Sequence, residues 1–249
     1  MPTHNEDTNE VMLRNRRIGL SQSGIAQFVD NRGINEYKKW CEKGYETIQY
    51  YDKVYADWFK IPRSIKTTSI KPSGTVSLLA GVTPGLHWPE NNYYIRRIRI
   101  SKSSNLLDIV KSSNYHIEDD VYDSSSVVVS IPVSIEGVRK LDDVSMWEQV
   151  SLSAFLHKYW ADNQVSCTVT FRPHEAKDIE NVLNYFQYQL KGISFLPKTE
   201  TGSYPQMPYE AIDKDTYDKL ITNIKPLDFS NVNQDSNIEK FCDGDSCII

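Results

Sequence analysis

The sequence predicts an α/β fold with parallel strand pairing. Strand candidates alternate with helical patterns of roughly ten to sixteen residues, the mark of crossover connections. Residues 127–133 form a near-continuous apolar run, as a strand covered on both faces requires. Residues 165–171 alternate cleanly, with Val165, Cys167, Val169 and Phe171 on one face and Ser166, Thr168 and Thr170 on the other. No internal repeat is visible.

Along the chain, residues 1–10 are polar and partly acidic and are expected to be disordered. A helical signal covers 11–30, interrupted by Gly19 and Gly24 and ended by Asn31, Arg32 and Gly33. The next helix, 35–60, has apolar positions at Tyr37, Trp40, Cys41, Gly44, Ile48, Tyr51, Tyr55, Trp58 and Phe59, and Pro62 stops it. Residues 64–70 read as a strand, as do 93–100, with a short helix at 104–112 and a polar connection after it. Helices are expected at 145–160 and at 175–190, the latter opened by Pro173 and capped by Gly192. Residues 193–196 form the next strand candidate, a Pro/Gly/Ser-rich link spans 197–208, and a last helix covers 209–223. From 225 to 249 the chain is polar and aperiodic and is expected to be mobile. The expected organisation is thus 1–10, 11–224 and 225–249.

With 249 residues the chain can bury one substantial core or two modest ones. A mean hydropathy of -0.50 and the lack of a long apolar run argue against a transmembrane helix. The start does not read as a secretory signal. A net charge of -5 argues against a dedicated nucleic-acid surface. The arginine sets Arg14, Arg16, Arg17 and Arg96, Arg97, Arg99 read as solvated or salt-bridged faces. The four cysteines, Cys41, Cys167, Cys242 and Cys247, make neither a disulfide scaffold nor a zinc site. A reducing, cytoplasmic setting is expected. Cys41 and Cys167 lie on apolar faces and read as packed core thiols. His87 reads as a hydrogen-bonded loop residue; the other histidines are scattered, and no metal site is expected.

Two stretches carry chemistry. The first runs Lys71-Pro72-Ser73-Gly74-Thr75-Val76-Ser77-Leu78-Leu79-Ala80-Gly81 and on through His87-Trp88-Pro89-Glu90. Small hydroxyl residues and a glycine precede an apolar run, so the turn suits either an anion held on backbone N–H groups or an ordinary strand-to-helix connection. It is not a Walker loop, because no Gly-Lys-Ser/Thr ends it. The second is Phe241-Cys242-Asp243-Gly244-Asp245-Ser246-Cys247, where two cysteines five positions apart come within disulfide reach. On a mobile arm they can exchange thiols at a buried site and then meet a reductant; the alternative is that they fall in a tail by chance.

The text of the first stretch resembles the substrate-phosphate loop of the adenosylcobalamin-dependent (class II) ribonucleoside-triphosphate reductases. The terminal cysteine pair, residues 15–25 (Asn15-Arg16-Arg17-Ile18-Gly19-Leu20 onward), Tyr93-Tyr94-Ile95-Arg96-Arg97-Ile98-Arg99 and residues 162–171 resemble the same family, in the same order. The resemblance implies the C-terminal part of a ten-stranded α/β barrel with a flexible redox tail. It implies that Ser73, Gly74, Thr75, Val76 and Ser77 hold the phosphates of a ribonucleoside triphosphate. It also implies that Cys242 and Cys247 re-reduce an active-site disulfide and are themselves reduced by a thioredoxin-like protein. Adenosylcobalamin is the implied cofactor, with corrin contacts in the regions 76–134 and 195–235.

The family's Asn-Pro-Cys-Gly-Glu motif, which carries the thiyl-radical cysteine and the acid–base glutamate, does not occur here. Both active-site reducing cysteines and the N-terminal effector region are also without counterparts. The expectation is a chain inactive alone that needs the N-terminal portion of a reductase. The rival expectation is a non-catalytic module binding nucleotide, cobalamin or a partner polypeptide.

Overall fold

The computed structural model describes residues 5–73, 76–198, 205–230, 242–243 and 246–247, without the side chains of Leu78, Leu79 or the last four. The chain divides into two compact units. One comprises Met1–Tyr94 and Val133–Ser203, the other Ile95–Pro132 and Tyr204–Ile249.

In the first unit, helix α1 (Glu6–Asn15) starts at Asn5, whose side chain accepts from Thr8 N at 3.0 Å. Residues 6–10, expected as part of a disordered start, are its first turns. The signal over 11–30 is two helices, not one. Arg16 closes α1 in the left-handed region at φ 44°, and Gly24 opens α2 (Ile25–Arg32) at φ 73°. Between them Ile18 N and Leu20 N donate to Lys66 O and Thr67 O.

Helix α3 (Ile34–Phe59) follows as expected, but of its apolar stripe only Tyr37 and Cys41 are buried, together with Ala56. After α3 the strand expected at 64–70 forms no regular strand, only isolated parallel bridges, Leu20↔Thr68 and Ile70↔Val165. A single turn of helix, α4 (Val76–Leu79), lies within the loop that follows.

Helix α6 (Met146–Tyr159), capped by Ser145, is the central support of this unit. It buries Met146, Val150, Leu152, Ala154 and Leu156 along with Gln149 and Ser153, so it is covered on most of its circumference. Strand β4 (Thr168–Phe171) packs beside it and pairs in parallel with β5 (Ser194–Pro197), from Thr168↔Ser194 to Phe171↔Pro197. The expected alternation is present: Val165, Cys167 and Val169 are buried and Thr168 is exposed. The helix expected at 175–190 begins as a 3₁₀ segment, Pro173–Asp178, and becomes α7 only at Ile179–Phe186. Glu175 sets that start, accepting from Arg172 N at 2.8 Å and from Met146 N at 2.9 Å.

The second unit is built on a four-stranded sheet of order β2-β3-β1-β6. Its strands are β1 (Tyr93–Ser101), β2 (His116–Asp119), β3 (Ser126–Ser134) and β6 (Tyr209–Ala211). Strand β2, in what read as a polar connection, pairs antiparallel with β3 from His116↔Ser130 to Asp119↔Val127. Strand pairing is therefore mixed. Helix α5 (Leu106–Ser112) is as expected apart from its first two residues. The helix expected at 209–223 splits into β6 and α8 (Lys214–Thr222), because Asp213 caps the helix by accepting from Thr216 N at 2.7 Å. Near the end of the chain β7 (Cys242–Asp243) and β8 (Ser246–Cys247) form a minimal antiparallel ladder. No helix among the described residues is long and apolar enough to cross a membrane.

Candidate functional site

The loop at 71–90 is fastened at both ends by residues of the first unit. At its start the Ser21 hydroxyl serves both groups of one peptide neighbour: it accepts from Lys71 N at 3.0 Å and donates to Lys71 O at 3.4 Å. On its return the chain docks on the beginning of α2. Gly24 N donates to Thr83 O at 2.8 Å, Ile25 N to Gly85 O at 3.2 Å, and Thr83 N to Gln27 Oε1 at 2.9 Å. Gly85, at φ 55°, brings the two arms together; a Cβ there would lie 3.4 Å from Lys71 O and Pro72 Cα.

Between these anchors Ser73 and Ser77 hold each other. Ser77 N donates to Ser73 Oγ at 3.1 Å, and Ser77 Oγ donates to Ser73 O. The Ser77 amide, expected to face an anion, is thus taken by the Ser73 side chain. Because Ser73 Oγ accepts that bond, its own proton is left to donate elsewhere. Of the other expected phosphate contacts, Val76 starts α4 with its side chain exposed, while Gly74 and Thr75 lie outside the described residues.

Toward its end the loop is braced by His87 and Trp88. Thr168 N donates to His87 Nε2 at 3.2 Å, so the ring proton sits on Nδ1, which faces Pro84 O at 3.2 Å. Burial holds this imidazole below its ordinary range, in keeping with a neutral ring that both donates and accepts. Trp88 Nε1 donates to Asp30, which also binds Arg139, and Arg139 in turn reaches Glu148 on α6. Sequence reading missed this brace because its partners are far apart in the chain. Leu86, His87, Trp88 and Glu90 line a cavity of about 220 Å³ with Cys167 and Thr168. Burial pushes the Cys167 thiol up to about 12 and Cys41 up to about 11, so both are packed thiols without nucleophilic character. No three potential metal ligands converge among the described residues.

The terminal cysteines are brought together by their backbone: Cys242 and Cys247 are register partners in the β7–β8 ladder. Directly opposed residues of antiparallel strands have Cα atoms about 4.5–5.5 Å apart, within the span of a disulfide.

The second unit joins 95–132 to 204–249, and these segments fall largely within the two regions from which corrin contacts are expected. It contains a cleft of about 350 Å³, lined by Arg97, Asn114, His116, Ser130 and Asn223 among others. Arg97 binds Glu210 through Nη2 and Met207 O through Nη1 at 3.1 Å, while its buried Nε meets no partner among the described residues. An unsatisfied guanidinium N–H beside a polar cleft fits a ligand with a hydrogen-bond acceptor.

No protein-family model matches the chain. Over 250 residues it is 54% identical to a probable adenosylcobalamin-dependent ribonucleoside-triphosphate reductase of Dictyostelium discoideum, a match taking in 98% of this chain and 33% of the relative. It is 49% identical over 257 residues to the adenosylcobalamin-dependent ribonucleoside-triphosphate reductase of Euglena gracilis, across 100% of this chain and 35% of that one. A crystal structure of a B-12 dependent (class II) ribonucleotide reductase superposes with a TM-score of 0.79 at 33% identity, covering 89% of this chain and 35% of that chain. The chain spans about a third of the length of the relatives it matches.

Proposed function

We propose that the chain, homologous over nearly its whole length to part of the adenosylcobalamin-dependent ribonucleoside-triphosphate reductases, is the C-terminal portion of such an enzyme. The observation that carries this reading is the 54% identity across 98% of the chain. The parallel extended segments at 18–20, 66–70, 165–171 and 194–197 belong, in this reading, to one half of a ten-stranded barrel that another stretch of polypeptide completes.

Within that enzyme the loop at Ser73, Gly74, Thr75, Val76 and Ser77 receives the phosphates of a ribonucleoside triphosphate. The Ser73 hydroxyl, already accepting from Ser77 N, donates its proton to a phosphate oxygen. Adenosylcobalamin, when bound, supplies the radical that starts reduction. Arg97 Nε, Asn114 and His116 hold a polar appendage of that cofactor; a cleft of about 350 Å³ is too small for the macrocycle itself. Cys242 and Cys247 then restore the enzyme. Their two thiols give two electrons and two protons to an active-site disulfide elsewhere, becoming a disulfide that a thioredoxin-like dithiol reduces.

The chain with adenosylcobalamin and a dithiol forms no deoxynucleotide until the rest of the reductase is added; turnover by the chain alone overturns the reading. In the reconstituted enzyme, Cys242→Ser or Cys247→Ser abolishes turnover supported by thioredoxin and spares part of that supported by a small dithiol. Equal loss with both reductants removes the shuttle role.

A further inference from the structure

One apolar stripe runs the length of α3; in its first half Tyr37 and Cys41 are buried while Trp40 is 64% exposed, and in its second half only Ala56 is buried. Tyr37 stacks on Phe155 of α6 with ring centroids 5.9 Å apart, Cys41 is buried, and Gly44 admits Trp160, whose Cζ3 would lie 3.2 Å from a Cβ there. Further along, Tyr51, Tyr55, Trp58 and Phe59 are 48%, 47%, 71% and 68% exposed. Three of these rings touch in series, Tyr51 with Tyr55 at 5.7 Å and Tyr55 with Trp58 at 5.6 Å. With roughly 200 Å² per aromatic side chain, they leave on the order of 450 Å² of apolar surface in one patch. A patch of that size matches the largest apolar patch of a typical monomer, which is often functional.

Two adjoining hollows of about 400 and 580 Å³ extend the patch toward α1, sharing Arg16, Ile18, Ile61 and Ser64 in their walls. Helix α1 buries none of its ten residues, and Val11, Met12 and Leu13 are exposed. A helix this short is marginal unless something packs on it. In the wall common to both hollows, Arg16 Nε is buried without a hydrogen-bond partner among the described residues.

We infer that the groove between α1 and the second half of α3 seats a segment of reductase polypeptide corresponding to the part of the relatives that this chain does not match. That segment is apolar and carries a carboxylate toward which the Arg16 side chain turns, giving its buried, unpartnered Nε an acceptor. The inference rests on the reading of the chain as part of a reductase and adds the surface through which the rest attaches. Two features select this occupant. The relatives are about three times as long as their match to this chain, and the groove pairs an apolar floor with an unsatisfied guanidinium N–H.

The test co-expresses the full chain with the part of the Dictyostelium discoideum relative that it does not match, each with its own tag, and measures association by sedimentation. A one-to-one complex is expected. Tyr55→Glu with Trp58→Glu weakens it about 100-fold or more, and Arg16→Met about tenfold. Tyr188→Glu, at a site 93% exposed outside the groove, leaves affinity unchanged. Circular dichroism of each variant chain alone separates lost docking from lost folding. No wild-type complex, or one indifferent to the α3 and Arg16 variants, overturns the inference. So does self-association of the chain through this face in place of the complex. A complex that forms through the groove yet neither binds nor reduces a ribonucleoside triphosphate leaves the docking intact and removes the functional reading.

Discussion

Gly24→Ala tests whether the candidate phosphate loop is held by the start of α2. Gly24 sits at φ 73°, and a Cβ there would come within 3.1 Å of Val82 Cβ and 3.3 Å of Val82 Cγ1. Forcing an L-residue into the left-handed region costs about 1 kcal/mol. Overpacking against Val82 adds about 1–3 kcal/mol, because Val82 is held by its N–H to Ser77 O and by its neighbour Thr83, which accepts from Gly24 N and donates to Gln27 Oε1. The expected loss is therefore about 2–4 kcal/mol by urea denaturation of the chain. Gly81→Ala provides the control. Gly81 also has a positive φ, 63°, but a Cβ there meets nothing within 4 Å, so only the backbone cost of about 1 kcal/mol remains. The gain from a stiffer unfolded chain is common to both variants and cancels in the comparison. In a reconstituted enzyme Gly24→Ala should also weaken ribonucleoside triphosphate binding several-fold by displacing Val82 and Thr83. Equal destabilisation by the two substitutions would refute the reasoning, since it would mean that Val82 does not press on α2.

Burial, with Lys191 nearby, pushes the His157 imidazole down to about 4, and both ring nitrogens are buried without partners among the described residues. A depressed imidazole gives stability that is whole above its ordinary value and is lost as pH falls from about 6.5 toward 4. Discounted for partial exposure, the loss is about 1–2 kcal/mol. His157→Phe should flatten denaturation midpoints measured between those pH values relative to the parent; parallel curves would exclude the effect. Gly74→Asp in the reconstituted enzyme should raise the Kd for a ribonucleoside triphosphate by about tenfold or more through repulsion at the loop; unchanged affinity, read by equilibrium binding, removes the cradle. Arg97→Lys keeps the charge beside Glu210 but loses Nε and the Met207 O bond, so it should weaken adenosylcobalamin binding about tenfold and lower stability by about 1 kcal/mol; equal cobalamin affinity, followed by absorbance titration, removes Arg97 from that site.

Periodicity served where one element's burial is decided by its own face. Helix α3 is legible from its long apolar spacing, α6 from a run of residues buried on most sides, and β4 from the alternation of Val165, Cys167 and Val169. It misled where a cap outranks the pattern. Asp213 starts α8 after a short strand, and Glu175 ties Arg172 and Met146 into a 3₁₀ turn, and neither effect shows in apolar spacing. Strand β2 was missed because its residues, His116 to Asp119, are mostly polar and owe their conformation to β3. The apolar spacing of α3 continues to Phe59, yet of its second half Tyr51, Tyr55, Trp58 and Phe59 are exposed. Amphipathicity reports that a face needs covering and is silent on whether the cover lies in the same chain. The Ser73 and Ser77 contact could be suspected from residue type, but the His87–Thr168 brace, 81 positions apart, could not.

The candidate loop combines firm ends with a locally satisfied middle. Lys71 is tied to Ser21, residues 82–85 to α2, His87 to β4, and Trp88 through Asp30 and Arg139 to α6. Every one of those partners belongs to this chain, so the described ends of the loop are anchored within it. In the middle, the described bonds of Ser73 join it to Ser77 alone, and one of them uses a hydroxyl that still has a proton to give. Such a division suits a site for an anion. Anchors that cost nothing to reorganise place the segment, and small groups that can exchange one oxygen acceptor for another meet the ligand. The second half of α3 differs: Tyr51, Tyr55, Trp58 and Phe59 are exposed among the described residues. On the proposed reading, the candidate nucleotide loop and the docking surface are separate parts of this chain, so a variant can impair one and leave the other intact. Losing the α3 face should abolish turnover of a reconstituted enzyme without altering the stability of the loop's anchors.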